Sequence, residues 1–377
     1  MFAKENLKYI SPMGDEMYVE HDSLIVRLMG HRGIVSSSNL NGGYREDVKY
    51  IYNHSCAKNP FVLAKKETEI QESTLDEYFE ELALHIGLPV DSTTGMDTAA
   101  KIENLAISTR QVHGVKVMAV ATAGIDVNGG RAGDKATYDE FAKEGLPIKS
   151  GTINILLFID ANLNAGVLTR AIVTATEAKS AALQELMANS MFSEGIATGS
   201  GTDSIVIVAN KDSNTPLYSS GKHVLLGQMI GESVKEAVSK ALDKQTGMNP
   251  RRQASIEWQS KRYGITKDNI LNHFCDISKQ QYDIERIRRR IDKIDTDEYI
   301  LAYVAAITHL CDQNRWNILS DDVLITLANE LINGLIKKHH IDFIVSIDKE
   351  AMPKRKGYKL VIEHTMIALA IIASNPQ

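Results

Sequence analysis

Glycine and small polar residues gather in five segments of this 377-residue chain, and their backbone amides could serve chemistry. The segments span residues 36–43, 122–124 with 131–134, 150–154, 197–203 and 219–223. Glycine frees backbone N–H groups to face a ligand, and such donors can hold an anion or the oxyanion of acyl transfer. A tight turn that needs positive φ explains any one segment alone. Five such segments at predicted element ends weaken the turn interpretation without removing it.

The segment 198–203, which reads TGSGTD, combines hydroxyls and a carboxylate with glycine amides just before a predicted buried strand. It lacks the Gly-Lys-Ser/Thr ending of a phosphate-binding loop, and no helix follows it directly, so a mononucleotide site is disfavoured. Asp203 could orient a catalytic imidazole or hold a substrate amide. The alternative is that Asp203 caps the next turn with its own side chain.

Three titratable residues on predicted helices are the other candidates. His223 precedes a helix and could act as a general acid or base, although a lone histidine is more often a packing or capping residue. Glu177 and Lys179 lie about 200° apart on a regular helix and cannot face one pocket. Either Glu177 serves a site while Lys179 makes another contact, or both are solvated; spacing alone favours the solvated interpretation.

Composition narrows the class of protein. With 44% hydrophobic and 24% charged residues and a net charge of -6, the chain is typical of a soluble globular protein without a basic surface for nucleic acid or membrane. Its three cysteines are far apart, and no metal-binding spacing of histidines or cysteines occurs. We expect no signal peptide, and the apolar run 366–373 is shorter than a membrane span. A cytoplasmic location is therefore expected.

The elements that must position these residues follow from hydrophobic periodicity. Strands are predicted at 23–29, 33–37, 115–122, 152–160 and 204–209, and the nearly continuous apolar run 152–159 indicates a strand covered on both faces. Helices are predicted from a capping box at 74–77, over about 165–187, and from 223 to Gly247. Gly227 and Gly231, four residues apart in the last of these helices, predict a close approach of another backbone or a ligand.

The character of the chain changes near residue 250. Beyond it, helices are predicted with Asp295 and Ser320 as caps, while 341–347 and 358–362 fit either strand or helix. We expect an α+β fold in which a mixed β-sheet layered with helices (α/β-like) is followed by a mostly helical C-terminal region. The expected domains are 1–250, which carries every candidate for chemistry, and 251–377, whose role is open.

Residues 20–245 resemble the adenosylcobinamide amidohydrolase family, the corrinoid-salvage enzymes. The resemblance rests on the order of several short segments: 37–43, 53–54, 122–124 with 131–134, 151–154, 175–179, 197–203 and 221–223 with Gly227 and Gly231. Two departures stand out. The link between Gly124 and Arg131 is one residue longer than the usual pattern, and Ser200 occupies a position where threonine is expected, a change that keeps the hydroxyl.

The resemblance implies hydrolysis of the amide that joins the corrin propionate arm to the aminopropanol linker, so that adenosylcobinamide yields adenosylcobyric acid. The corrinoid is then a substrate; no cofactor is expected, and metal dependence and homo-oligomerisation stay open. We assign catalysis to His223 or Glu177 as the base with Asp203 orienting it; Thr152 or Thr202 as a covalent nucleophile is a weaker variant. The predicted substrate-binding residues are Asn41, Gly42, Gly43, Asn53, His54, Asn154, Thr176, Thr198, Gly199, Ser200, Gly201 and Thr202.

Two other classes of function remain open at this point. A non-catalytic corrinoid-binding or sensing protein, with the helical tail as an interaction module, would bind cobinamide without cleaving it. A nucleotide-phosphate binder built on the glycine-rich segments ranks last, because the lysine that such a loop requires is missing.

Overall fold

A computed structural model of the chain describes residues 2–56, 75–139, 141, 144–145, 151–278, 283–348, 350 and 355–375. Contacts between Cα atoms divide the chain into two units, Met1–Leu186 with Ser190–Asn249, and Met187–Asn189 with Pro250–Gln377. Thr74 of the predicted capping box and Ser150 of one polar segment lie outside the described residues.

The described residues of unit 1 form two main sheets and three long helices. Its strands are β1 Leu7–Ile10, β2 Glu16–Glu20, β3 Ser23–Arg27, β4 Arg32–Ser36, β5 Gly43–Arg45, β6 Tyr50–Ser55, β7 Thr93–Thr98, β8 Ala106–Val112, β9 Val115–Gly124, β10 Tyr138–Asp139, β11 Glu144–Gly145, β12 Thr152–Ile159 and β13 Ser204–Asn210. Its helices are α1 Leu75–His85, α2 Ala165–Glu185 and α3 Leu225–Thr246.

Strand direction in the six-stranded sheet brings four chain segments together. The order is β5-β4-β13-β12-β9-β8, and β12 runs parallel to β13 while β4 and β9 run antiparallel to them. β12 and β13 therefore begin at the same end of the sheet at which β4 and β9 finish. We call this the polar end, defined by Ser36, Thr122, Thr152 and Ser204.

Two sheets and two helical layers build unit 1. The five-stranded sheet, in the order β1-β2-β3-β6-β7, packs against the six-stranded sheet through residues such as Met17, Ile51, Met118 and Phe158. Helix α1 packs with Ile25 and Tyr52 of the five-stranded sheet, and α2 and α3 cover the six-stranded sheet. Burial of apolar faces on both sides explains why every residue of β12 is buried.

The expected α+β fold is confirmed, and so are most elements predicted from periodicity. Helix α2 begins after Asn164, whose side chain accepts a hydrogen bond from the Val167 amide, and α3 ends at Gly247 with a φ of 70°. The predicted strands correspond to β3, β4, β9, β12 and β13. Strands β6 and β7 were not predicted, and β6 carries Asn53 and His54.

Unit 2 is helical throughout the regular elements that the structure describes. They are α4 Pro250–Gln253, α5 Ile256–Ser260, α6 Lys267–Ile277, α7 Ile284–Asp295, α8 Glu298–Arg315, α9 Asp321–Lys338 and α10 Gly357–Ser374. Ser320 caps α9 as predicted, because its side chain accepts a hydrogen bond from the Val323 amide.

Two expectations for unit 2 are corrected. The cap of α8 is Asp297, since Asp295 is the last residue of α7 and accepts hydrogen bonds from the Ser255 hydroxyl and the Glu257 amide. Residues 341–348 have no regular structure, and 358–362 belong to α10.

Helix α10 has the length and composition of a membrane span, with a mean hydropathy of 1.3, and 61% of its residues are buried. Leu360, Val361 and Leu369 lie in the apolar core of unit 2. A buried core helix passes the same test of length and apolarity, so α10 is weak evidence for a membrane span.

The two glycines of α3 differ in their surroundings. A Cβ built on Gly227 would lie 1.9 Å from the Gly221 carbonyl oxygen and 2.9 Å from the Lys222 amide nitrogen, which confirms the predicted close approach. A Cβ on Gly231 would meet nothing within 4 Å, so the same prediction is wrong there.

This difference makes the two glycines a matched pair for a stability test. We expect Gly227→Ala to lower the free energy of unfolding by ~1–3 kcal/mol, since the backbone of the preceding loop must move. Gly231→Ala should be neutral or stabilising by up to ~1 kcal/mol, because alanine is the better helix former. Thermal unfolding of both variants measures this, and equal effects would contradict the close approach at Gly227.

Candidate active site

Four of the five glycine-rich and polar segments meet at the polar end. The Ser37 and Ser204 hydroxyls are 2.9 Å apart, and the Thr202 hydroxyl donates to the Gly151 carbonyl oxygen at 3.0 Å. The loop at 197–203 also pairs with the segment after β9 through a bridge between Gly130 and Gly199. The fold thus brings these four segments to one location.

Asp203 is the centre of the hydrogen bonding at this end. Its Oδ1 accepts from the Ile153 amide at 2.9 Å and from the Ser200 hydroxyl at 2.7 Å. Its Oδ2 accepts from the Ser200 amide at 3.0 Å and pairs with the Lys179 ammonium. Because four donors occupy the carboxylate, its position is fixed by α2, by β12 and by its own loop.

Lys179 is buried, which corrects the expectation that it is a solvated surface residue. Its side chain and that of Asp203 are each 11% exposed. Glu177, two residues earlier, is exposed and forms an ion pair with Lys222, with 2.8 Å between Nζ and Oε2. The two residues therefore point to different surroundings, as their helical spacing predicts.

Gly199 leaves the space that the Lys179–Asp203 pair fills. A Cβ at this position would lie 2.1 Å from Asp203 Oδ2 and 2.6 Å from Lys179 Nζ. The neighbouring Thr198 hydroxyl accepts from the Ala132 amide at 2.9 Å, and the Thr198 carbonyl accepts from the Ser180 hydroxyl at 3.1 Å. Thr198 and Gly199 therefore support the loop, while Gly201 and Thr202 at its tip are exposed.

A second polar network lies between the two sheets. Asn154 Nδ2 donates to Asn53 Oδ1 at 2.8 Å and to the Asp97 carbonyl oxygen at 2.6 Å, and Asn53 Nδ2 donates to the Thr122 hydroxyl at 3.0 Å. Asn53 and Asn154 are 5% and 1% exposed. Both are predicted to bind substrate; the structure places their amide groups in the interior, where they join the sheets.

Asn41 is likewise occupied by the protein itself. Its Nδ2 donates to the carbonyl oxygens of Val90 at 2.7 Å and Thr93 at 2.8 Å, and its Oδ1 accepts from Arg45. Gly42 and Gly43, which follow it, are exposed. Of the three predicted substrate-binding residues here, Gly42 and Gly43 are exposed, whereas the Asn41 side chain is engaged by the protein.

His223 does not reach Asp203. The start of α3 lies with Val112, His113 and Val115 around a cavity of about 430 Å³. Val115 is the first residue of β9, and Gly124, its last, is at the polar end. His223 lies just before the first turn of α3 and is exposed. Thr176, a predicted substrate-binding residue, is also exposed. The expected pair of Asp203 with His223 is therefore not formed.

Comparison with known proteins decides the family. A family model described as adenosylcobinamide amidohydrolase matches residues 8–250. The chain belongs to this family. The matched residues include both sheets of unit 1 and the whole polar end, and membership places the chain among hydrolases that act on amides.

Two curated relatives support the family match. An uncharacterised protein of Methanocaldococcus jannaschii is 34% identical over 242 residues, which cover 61% of this chain and 89% of the relative. The adenosylcobinamide amidohydrolase of Methanosarcina mazei is 27% identical over 215 residues, which cover 55% of this chain and 88% of that enzyme.

Two solved structures are similar to part of the chain at low sequence identity. A β-aminopeptidase from a Burkholderia species matches with a TM-score of 0.30 and 12% identity, covering 59% of this chain and 78% of its own. The L-aminopeptidase D-Ala-esterase/amidase of Ochrobactrum anthropi matches with a TM-score of 0.29 and 11% identity, covering 64% and 89%. At these values the similarity carries no argument about chemistry.

Sequence reasoning missed two buried groups in unit 1. Lys179 lies four residues after Ala175 and three before Ala182, both on the predicted inward face of α2, and that spacing could have revealed its burial. Asp97, on the unpredicted strand β7, has a pKa raised by burial, with Tyr78 as a hydrogen-bonding neighbour. Within the described ranges, no group of three or more histidine, cysteine, aspartate or glutamate side chains could hold a metal ion.

His54, one of the predicted substrate-binding residues, is 4% exposed, and its Nδ1 is 2.8 Å from the Ser23 hydroxyl. Burial lowers the pKa of His54 from 6.5 to about 4. The imidazole is therefore neutral in the folded protein over a range in which it is protonated in the unfolded chain. His54 supports the packing of β3 against β6.

This shift predicts a pH dependence of stability. Because protonation is easier in the unfolded chain, the free energy of unfolding should fall as the pH drops from about 6.5 towards 4, and His54 should contribute about 2 kcal/mol of the loss between pH 7 and pH 5. His54→Gln removes this group. Denaturant unfolding at pH 7, 6 and 5 should show a shallower decline in the variant; an unchanged decline would contradict the prediction.

Proposed function

We propose that the chain is an adenosylcobinamide amidohydrolase. It would hydrolyse the amide between the corrin propionate arm and the aminopropanol linker, and release adenosylcobyric acid. The observation that carries the proposal is the family match over residues 8–250, which contains the complete polar end. The relative from Methanosarcina mazei carries the same name, and cobamide salvage in the cytoplasm is the setting that we propose with it.

Amide hydrolysis requires a group that accepts a proton and a donor that stabilises the oxyanion of the tetrahedral intermediate. The polar end offers both within one loop. The Asp203 carboxylate can accept a proton, and the tip of its loop is exposed to a large substrate. We therefore propose Asp203 as the proton acceptor and the polar end as the reaction centre.

The backbone donors of this loop are not equivalent. The Gly199 amide donates to the Gly130 carbonyl oxygen at 3.3 Å, the Ser200 amide to Asp203, and the Thr202 amide to the Ser200 hydroxyl at 3.3 Å. Within the described ranges, Gly201 makes no such bond, and it is exposed. We propose the Gly201 amide as the oxyanion donor.

The exposed glycines 42, 43 and 201 suit a corrin ring fringed with carboxamides. The corrinoid is the substrate in this proposal, and the chain's own residues supply the chemistry. Glu177 and His223, which do not contact Asp203, stay predicted catalytic residues. Variants of both are compared with Asp203→Asn in the same assay.

The decisive experiment incubates the full chain with adenosylcobinamide, with and without a chelator, and separates the products by chromatography. We expect adenosylcobyric acid to form. Binding detected in the visible spectrum without product would favour the corrinoid-binding or sensing protein instead. Loss of product with the chelator, restored by added metal, would show that a metal takes part.

Asp203→Asn tests the proton acceptor and should lower kcat by about 10²–10⁴-fold, since the amide cannot take the proton. An unpaired buried Lys179 would also destabilise the fold, so the double variant Lys179→Met, Asp203→Asn serves as the control that removes both charges. It should unfold near the wild-type temperature and stay inactive. A comparable loss in His223→Ala or Glu177→Gln, with Asp203→Asn active, would move proton transfer to those residues.

A further inference from the structure

Ser200 has a partner that the other candidate hydroxyls of the polar end lack. Its Oγ donates to Asp203 Oδ1 at 2.7 Å. The Thr152 hydroxyl donates to the Thr202 carbonyl oxygen at 2.7 Å, and the Thr202 hydroxyl donates to the Gly151 carbonyl oxygen at 3.0 Å. A carboxylate is basic enough to accept the hydroxyl proton while the oxygen bonds to the amide carbon, whereas a backbone carbonyl oxygen is not. This contrast disfavours Thr152 and Thr202 as nucleophiles.

The position of Ser200 also suits attack on a large substrate. Ser200 is half-buried and stands between the enclosed Gly199 and the exposed Gly201. Its backbone amide is held by Asp203 Oδ2 and its hydroxyl by Asp203 Oδ1, so one carboxylate fixes both the main chain and the side chain. The hydroxyl is thereby pre-positioned next to the proposed oxyanion donor.

Lys179 completes the arrangement from the other side. Its ammonium pairs with Oδ2, the oxygen that does not bind the Ser200 hydroxyl. The buried cation balances the carboxylate charge and keeps Oδ1 directed at Ser200. Gly199 makes this approach possible, because any Cβ would occupy the space of the pair.

We propose that Ser200 is the nucleophile of the amide hydrolysis, with Asp203 as its proton acceptor and Lys179 as a positioning residue. This inference rests on the proposed function. A hydroxyl, a carboxylate and a lysine would then perform the work of a serine-based catalytic group without histidine, as serine–lysine arrangements do on other folds.

The reaction balances over two half-reactions. Ser200 Oγ bonds to the amide carbon, its proton moves to Asp203 Oδ1, and the carbonyl oxygen becomes an oxyanion facing the Gly201 amide. Collapse breaks the C–N bond, the proton on Asp203 passes to the leaving amine, and an ester remains on Ser200. Water then attacks the ester carbon and gives a proton to Asp203, which returns it to Ser200 Oγ as the carboxylic acid leaves.

The same contacts would also occur if Asp203 only capped its own turn. Ser200→Ala separates the two roles: it removes the two bonds of the Ser200 hydroxyl, to Asp203 Oδ1 and from the exposed Thr202 amide, but it keeps the bonds of Asp203 with the Ile153 amide, the amide of residue 200 and Lys179. The loop should therefore keep its fold while the hydroxyl is gone. Ser180→Ala is the matched control: the Ser180 hydroxyl bonds the same loop at the Thr198 carbonyl oxygen.

The test uses adenosylcobinamide with the full chain and its Ser200 and Ser180 variants. We expect Ser200→Ala to lower kcat at least about 10³-fold with binding in the visible spectrum retained, and Ser200→Thr to restore kcat to within about tenfold of wild type. Ser180→Ala should stay within about threefold of wild type. Added hydroxylamine should divert wild-type product from the acid to the hydroxamate by capturing the ester.

Each of the other possible results would contradict one part of the proposal. Hydrolysis by Ser200→Ala at a tenth of the wild-type rate or more would exclude Ser200 as the nucleophile while the proposed function stands. An inactive Ser200→Ala without any hydroxamate from wild type would exclude the ester. Wild type that forms no adenosylcobyric acid would refute the proposed function itself.

Lys179 is tested by charge and by rescue. Lys179→Met should lower kcat at least about tenfold with KM little changed, because the carboxylate loses its orientation rather than its contact with substrate. Lys179→Arg should recover part of the loss, since the positive charge returns. If Lys179→Met and Lys179→Arg had the same kcat as each other and unfolded at the wild-type temperature, the positioning role of the charge would be excluded.

Discussion

The buried ion pair between Lys179 and Asp203 is the interaction on which the polar end depends. Two charges removed from water are costly unless each finds a partner and further hydrogen bonds. Asp203 meets this requirement with the Ile153 and Ser200 amides, the Ser200 hydroxyl and the ammonium. One carboxylate therefore ties helix α2, strand β12 and the loop before β13 together. Gly199 is a consequence of the same constraint, because a side chain there would displace the pair.

Strand direction explains why this pair meets the other polar segments. Strands β12 and β13 are parallel, and their neighbours β9 and β4 are antiparallel to them. The first two strands therefore begin at the end of the sheet where the other two finish, and the glycine-rich loops converge there. The interior next to this point is also polar, and its groups are satisfied by one another. Asn53, Asn154 and Thr122 form a chain of hydrogen bonds across the two sheets, which fixes the sheets relative to each other at the site.

Much of this arrangement could be predicted from the sequence, and the failures have identifiable physical causes. Apolar runs and caps revealed β12, α2 and α3, but β6 escaped because Asn53 and His54 interrupt its apolar pattern while turning inward to polar partners. Helical spacing alone favours a solvated Lys179, because it does not reveal a partner that lies 24 positions away along the chain. The separation of His223 from Asp203 likewise depends on strand direction, which no local pattern reveals.

The contrast between an enclosed ion pair and an exposed loop tip fits the proposed substrate. In the proposed reaction, the bond to be cut lies at the end of an arm that extends from a corrin ring. A reaction centre on the tip of a loop can reach such a bond while the ring stays outside. The loop must then be held rigid by the interior of the protein. The buried Lys179–Asp203 pair does this, because Asp203 is hydrogen-bonded to Ser200, next to Gly201. Rigid support under an exposed tip thus reconciles a large substrate with the fixed geometry that amide hydrolysis requires.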